Sequence, residues 1–211
     1  MKLLLTSSGL SNDILRNKFL ELIGKDPQDI KVAFIDTASK VEKDRSYVLE
    51  DVKNIESVGI KTIDVIDISE PKINWETILI NSDVIWVEGG NTFYLLSELK
   101  NSGLINDMKD YIKNKLYVGV SAGSIIAGPS IATAGIEPAD PNEVNLVDLS
   151  SYNWVSFDIS PHTPSSVSLE NISKYSKESG RKVYAYDDGT AVLVINDKIE
   201  FIGVGYTKIF N

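Results

Sequence analysis

One stretch of this chain has the residue types and spacing for covalent chemistry: Gly119-Val120-Ser121-Ala122-Gly123, a G-x-S-x-G pentapeptide. An apolar run, Leu116 to Val120, leads into it and reads as a buried strand. A helix-like run, Ser124 to Ala127, follows, and Gly128-Pro129 stops it. Strand, tight turn and helix form the setting of a nucleophile elbow, in which a strained turn lifts a serine hydroxyl clear of the sheet. The two glycines leave the turn uncrowded. The helix behind Ser121 aims N–H groups and partial positive charge at whatever reacts there. The same residues also suit a plain βα turn in which Ser121 only caps a helix.

An activated serine needs a base, oxyanion donors and an acid that orients the base. The chain has one histidine, His162, in Ser160-Pro161-His162-Thr163-Pro164. Proline fixes its own φ and restricts its predecessor, so this loop is a stiff mount for an imidazole. The amide after the nucleophile, that of Ala122, supplies one oxyanion donor. Glu88-Gly89-Gly90-Asn91-Thr92 lies between a strand and a helix, and Gly90 is the natural second donor, because glycine lets an N–H approach a ligand closely. Gly89, Asn91 and Thr92 are expected at the substrate, although Asn91 or Thr92 would equally serve as a helix N-cap. For the acid, Glu137, Asp140, Asp158, Asp187 and Asp188 all lie in suitable stretches.

Composition narrows the function classes. The 211 residues fit one domain, 1–211, and 43% hydrophobic with 24% charged residues is ordinary for a globular protein with a real core. The net charge of −9, with no basic cluster, argues against nucleic-acid backbones and anionic membranes as partners. The absence of cysteine removes disulfides, thiolate catalysis and Cys-ligated zinc, and one histidine cannot build a His-based metal cluster. Met1-Lys2-Leu3-Leu4-Leu5 is too short for a signal peptide before Thr6-Ser7-Ser8-Gly9, and no run approaches a membrane span. The cytoplasm is the default compartment. No cofactor is expected, and a homo-oligomer is left open.

The elements that must position these residues alternate. Strands are expected at Leu3–Leu5, Lys31–Asp36, Thr62–Ile68, Asp83–Val87 and Leu116–Val120. Between them lie a helix with Leu15, Phe19, Leu22 and Ile23 on one face, one with Val48, Val52, Ile55 and Val58, a short one at 73–80, and two split near Gly103. This rhythm implies an α/β fold with a mostly parallel sheet and helices on both faces. Pro129 to Ser151 reads as a long loop. Trp154–Ile159 reads as a strand and Ser166–Glu178 as a helix. Lys182–Tyr186, Ala191–Ile195 and Ile199–Ile202 read as short strands added to the sheet in antiparallel fashion, the last two joined by an Asn196-Asp197 turn.

With Ser121, Gly90 and His162 in these places, the chain resembles the aspartyl dipeptidase (peptidase E) and cyanophycinase family of serine peptidases, whose fold is similar to class I glutamine amidotransferases. The motifs are Glu88 to Leu96, Gly119 to Gly123 continued by Ala127 to Ile131, and Ser160-Pro161-His162. The resemblance implies Ser121 as nucleophile, His162 as base, and Gly90 with Ala122 as oxyanion hole. Peptidase E takes its acid from the loop after the elbow, where this chain has Ile136 with Glu137 adjacent; cyanophycinase takes it just before a Thr-Ala pair, the position of Asp188 before Thr190-Ala191. Asp188 is therefore the expected acid, with Glu137 the alternative. Peptidase E also reads the aspartate of its substrate with an arginine beyond the histidine. Thr163 to Gly180 holds Lys174 and Lys177 but no arginine, so no marked preference for an acidic first residue is expected.

The expected function is hydrolysis of a small peptide through an acyl-enzyme. Two rivals share some of these residues. An esterase of the α/β-hydrolase type runs serine, acid, histidine in chain order, which would select Glu137 or Asp158. A non-catalytic amidotransferase-like binding module would leave Ser121 unreactive.

Overall fold

A computed structural model describes residues 1–70, 74–196 and 198–211. The chain opens with strand β1 (Lys2–Thr6), helix α1 (Asp13–Ile23), β2 (Lys31–Ile35), α2 (Ser46–Ser57), β3 (Thr62–Ile66), α3 (Trp75–Asn81) and β4 (Val84–Val87). Helices α4 (Thr92–Asn101) and α5 (Leu104–Tyr111), β5 (Leu116–Val120) and the short α6 (Ala122–Ile125) complete the first half. Strand β6 (Asp158–Ser160), α7 (Leu169–Ser179), β7 (Val183–Tyr186), β8 (Thr190–Ile195), β9 (Lys198–Gly203) and β10 (Thr207–Phe210) follow. The helix expected over 73–80 is present as α3; its first residue, Ile73, lies outside the described residues, as does Asp197 of the expected hairpin turn.

Seven strands form the main sheet in the order β3-β2-β4-β5-β1-β8-β9. The first five pair in parallel, while β8 runs antiparallel to β1 and β9 antiparallel to β8. Alternation along each strand sends side chains to two cores, as a sheet buried on both faces requires. Leu3, Leu5, Ile35, Val87 and Tyr117 pack beneath α3 to α6. Leu4, Phe34, Trp86 and Val118 pack against Leu15 and Phe19 of α1 and Ile55 of α2. In that second core the Trp86 ring stacks on Phe34 and meets Phe19 edge-on.

Helix ends follow local chemistry. The Asn12 side chain accepts from the amides of Ile14 and Leu15 at the start of α1, and Gly24 ends the helix in the left-handed region. Gly103, at φ 80°, separates α4 from α5.

The C-terminal third departs from the expected arrangement. β8 and β9 extend the main sheet, but β7 leaves it and forms a separate sheet with β6 and β10, in the order β10-β7-β6. The expected strand at 154–159 shortens to three residues, because the chain from Ser151 to Val155 is held instead by backbone bonds to 126–129. β10 carries no apolar alternation strong enough to announce itself in sequence.

Candidate active site

The pentapeptide does form a sharp strand-to-helix turn. Ser121 sits at φ 47°, ψ −106°, left-handed backbone that a non-glycine residue adopts only under constraint. Its neighbours permit this. A Cβ on Gly119 would overlap the Gly123 carbonyl, and one on Gly123 would overlap the Val87 carbonyl of the next strand. Serine at 121 is anchored through its backbone, its amide donating to the Thr6 carbonyl at 3.0 Å. Ser121 Oγ is thereby left for other contacts, and it lies 2.9 Å from His162 Nε2.

His162 also occupies left-handed backbone, at φ 55°. Its amide donates to Ser7 Oγ at 2.9 Å. The other ring nitrogen, Nδ1, lies 2.5 Å from Asp188 Oδ1. Asp188 accepts further bonds from Ser7 Oγ (2.7 Å) and Ser8 Oγ (2.9 Å). The hydrogen bond with His162 holds the Asp188 carboxyl well below the usual carboxylate range, reinforced by Ser7 and Ser8 against the opposing effect of partial burial. An ionised Asp188 fixes the tautomer with the proton on Nδ1 and leaves Nε2 to accept from Ser121.

The topology explains this meeting. Ser121 follows β5, the middle strand of the seven-stranded sheet, and Ser7 follows its neighbour β1. Because β8 is antiparallel to β1, with Thr6 opposite Ala191, the start of β8 lies at the same edge as the ends of β1 and β5. Asp188, just before β8, therefore arrives at that edge. The loop carrying His162 is tied to the same place by the Thr163 amide, which donates to the Tyr186 carbonyl at 3.0 Å.

The remaining acid candidates are engaged elsewhere. Glu137 is exposed, and among the described residues only its carbonyl has a partner, accepting from Asn171. Asp158 is buried under Tyr175 Oη, with Arg181 3.6 Å away. Asp187 closes its own turn, accepting from the amides of Gly189 and Tyr206. Asp140 accepts from the Thr92 amide.

Among the described residues, the amides of Gly90 and Ala122 donate to no protein acceptor, as an oxyanion hole requires. Gly90 needs its lack of a side chain, since at φ 129° a Cβ would overlap the Ala38 carbonyl. Gly89 abuts the nucleophile; a Cβ there would come 3.2 Å from Ser121 Cβ. Asn91 and Thr92, expected at the substrate, instead build the loop. Asn91 caps α4 by accepting from the Tyr94 amide and donates to the Pro141 carbonyl, and neither residue lines the cavity. Asn91 serves as the helix cap, and Thr92 is the first residue of α4, its amide donating to Asp140. Ser7 was visible in sequence only as part of a polar loop, and nothing local marks it as a partner of residues 155 and 181 positions away.

Beside Ser121 and His162 opens a cavity of about 570 Å³, bounded by Gly89 and Gly90 on one side and by α1 and α2 on the other. Neither Lys174 nor Lys177 reaches it, and Arg181 is turned toward Asp158.

A serine on a strained elbow, bonded to a histidine whose far nitrogen meets a carboxylate, defines the class of serine hydrolases. The model of peptidase family S51 matches residues 3–202, and the chain belongs to that family of serine peptidases. An uncharacterized peptidase of Listeria monocytogenes serovar 1/2a, Lmo0363, is 34% identical over 77% of this chain and 81% of its own length. Peptidase E of Salmonella heidelberg is 32% identical over 70% of this chain and 64% of its own. The crystal structure of a protein assigned to peptidase E, from Listeria monocytogenes EGD-e, superposes with a TM-score of 0.80 at 32% identity, covering 96% of this chain and 98% of that one. The fold alone is shared with a peptidase from an acI-B1 Actinobacterium, at a TM-score of 0.61 and 14% identity.

Proposed function

We propose that this peptidase hydrolyses dipeptide-sized substrates through an acyl-enzyme on Ser121. His162 Nε2 takes the Ser121 proton as Oγ attacks the scissile carbonyl carbon. The amides of Gly90 and Ala122 donate to the oxygen that becomes negative. His162 then returns the proton to the leaving amine, and water repeats the sequence to free the acid. Asp188 holds the Nδ1 proton throughout and stabilises the imidazolium that forms. No cofactor enters the scheme.

The observation that carries this reading is the unbroken line Ser121 Oγ, His162 Nε2, His162 Nδ1, Asp188 Oδ1, with contacts of 2.9 and 2.5 Å. Ser-His-acid geometry alone does not separate a peptidase from an esterase; membership of family S51 favours the amide bond. The test is turnover of a dipeptide panel with varied first residues, alongside Ser121→Ala. Wild-type cleavage that falls by at least about 10⁴-fold in the variant is expected. Cleavage that survives the substitution would remove Ser121 from the chemistry.

A further inference from the structure

The cavity beside Ser121 is built for a positive charge. Five carboxyl groups stand in its lining, those of Glu42, Glu50, Asp51, Glu88 and Asp140. Arg16, the lining's arginine, already gives its terminal nitrogens to Asp13 and Asn54, at 2.9 and 3.1 Å. At the cavity's inner end lies Glu88, which is fully buried. Its Oε2 accepts from Trp86 Nε1 at 2.7 Å, and the carboxyl also takes a hydrogen bond from the Gly89 amide and shares one with a neighbouring acid. That acid is Asp51 of α2, also buried.

Glu88 is also close to the chemistry. The residue after it, Gly89, is the one that abuts Ser121. The cavity wall that holds Glu88 also holds Gly90, Ser121 and His162, so a side chain bound there lies beside the reacting centre. The acids are not gathered at that point alone, however. They range from the buried Glu88 and Asp51 to the partly exposed Glu42 and the exposed Glu50, more negative charge than one α-ammonium requires.

We propose that this cavity receives the side chain of a basic first residue, lysine or arginine, and that Glu88 with Asp51 is its counter-ion. This deepens the peptidase reading and rests on Ser121 being acylated by the first residue of the substrate. A lysine or arginine lays its methylenes along the cavity and brings its cationic donors to the Glu88–Asp51 pair, taking the place of the proton that the two carboxyls share. In the free protein burial and the mutual repulsion of Glu88 and Asp51 favour a proton on the pair; the arriving cation releases that proton to solvent. Glu42, pushed up by burial and by the charges of Asp140 and Glu143, reports the same negative field at the rim.

The test compares Lys-Ala with norleucyl-Ala, which matches the length and apolar stem without the charge, and with Ala-Ala and Asp-Ala. A kcat/KM for Lys-Ala at least about tenfold above norleucyl-Ala is expected, and Glu88→Gln should erase most of that ratio. Calorimetry on Ser121→Ala with the same dipeptides reads the preference without turnover. Failure of wild type to cleave any dipeptide, with Lys-Ala still bound more tightly than norleucyl-Ala by Ser121→Ala, would sink the peptidase reading and leave the cation site standing. Equal handling of Lys-Ala and norleucyl-Ala in both measurements, or a lead for Asp-Ala, overturns the cation site alone. Should Glu88→Gln fail to fold, Glu42→Gln and Glu50→Gln at the rim are expected to lower the ratio by about two- to threefold each.

Discussion

His162 Nδ1 and Asp188 Oδ1 lie 2.5 Å apart although 26 positions separate them in the chain. They come from loops that lead into different sheets: His162 follows β6 of the small sheet, and Asp188 precedes β8 of the large one. The contact thus joins the two sheets at the edge where Ser121 stands. It makes the orientation of the imidazole depend on how the sheets meet.

That dependence separates Asp188 from Glu137. Asp188→Asn should leave the fold intact and lower kcat by up to about 10⁴, because an amide no longer selects the productive tautomer. Glu137→Gln should stay within about threefold of wild type, since its side chain is exposed. The check is kcat for both variants on one dipeptide, with circular dichroism to verify folding. The reverse ordering would hand the acid's role to Glu137.

Ser7 is a positioning residue in the same assembly. Its hydroxyl donates to Asp188 and accepts from the His162 amide, at 2.7 and 2.9 Å. A hydrogen bond to a charged group contributes about 1.5–3 kcal/mol, so Ser7→Ala should lower kcat by about 10- to 100-fold. KM should change little, and Ser7→Thr should recover part of the loss. A change confined to KM would mean that Ser7 touches substrate instead.

Ser121 should be the single site of covalent modification. A panel of fluorophosphonate and phosphonate probes is expected to add one adduct, seen by intact-protein mass spectrometry and absent from Ser121→Ala. An unmodified protein across the whole panel would favour a binding module over an enzyme.

The buried acid pair gives stability a pH dependence with a definite sign. Burial pushes the Asp51 carboxyl up from 3.8 to about 6, and burial together with the Asp51 charge raises Glu88 well above the usual range. Groups raised in the folded state bind protons that the unfolded chain has already released. Their contribution therefore falls as pH rises from about 4 through 6 and beyond. Glu88→Gln keeps the shape, offers its amide to Asp51 and removes one charge. It should melt several degrees above wild type at pH 8, with the gap closing toward pH 5. A gap of the same size at both pH values would show that charge is not its cause.

The alternation of apolar strands and helices, the glycines that end α1 and divide α4 from α5, and the elbow around Ser121 were all legible in the chain. Each rests on local chemistry: hydrophobic period, backbone freedom or steric room over a few residues. His162 was legible because no other imidazole exists. Five carboxylates, by contrast, lay in suitable stretches, and it was the resemblance to cyanophycinase that singled out Asp188, with Glu137 the alternative. Only the antiparallel pairing of β8 with β1, a register of hydrogen bonds between residues about 190 positions apart, brings Asp188 to that edge and leaves the other four elsewhere. The departure of β7 into a second sheet, the engagement of Ser7, and the meeting of Glu88 with Asp51 across β4 and α2 are of the same kind. Strand order and helix docking are decided by which faces bury together across the whole chain, and no short stretch of sequence carries that information.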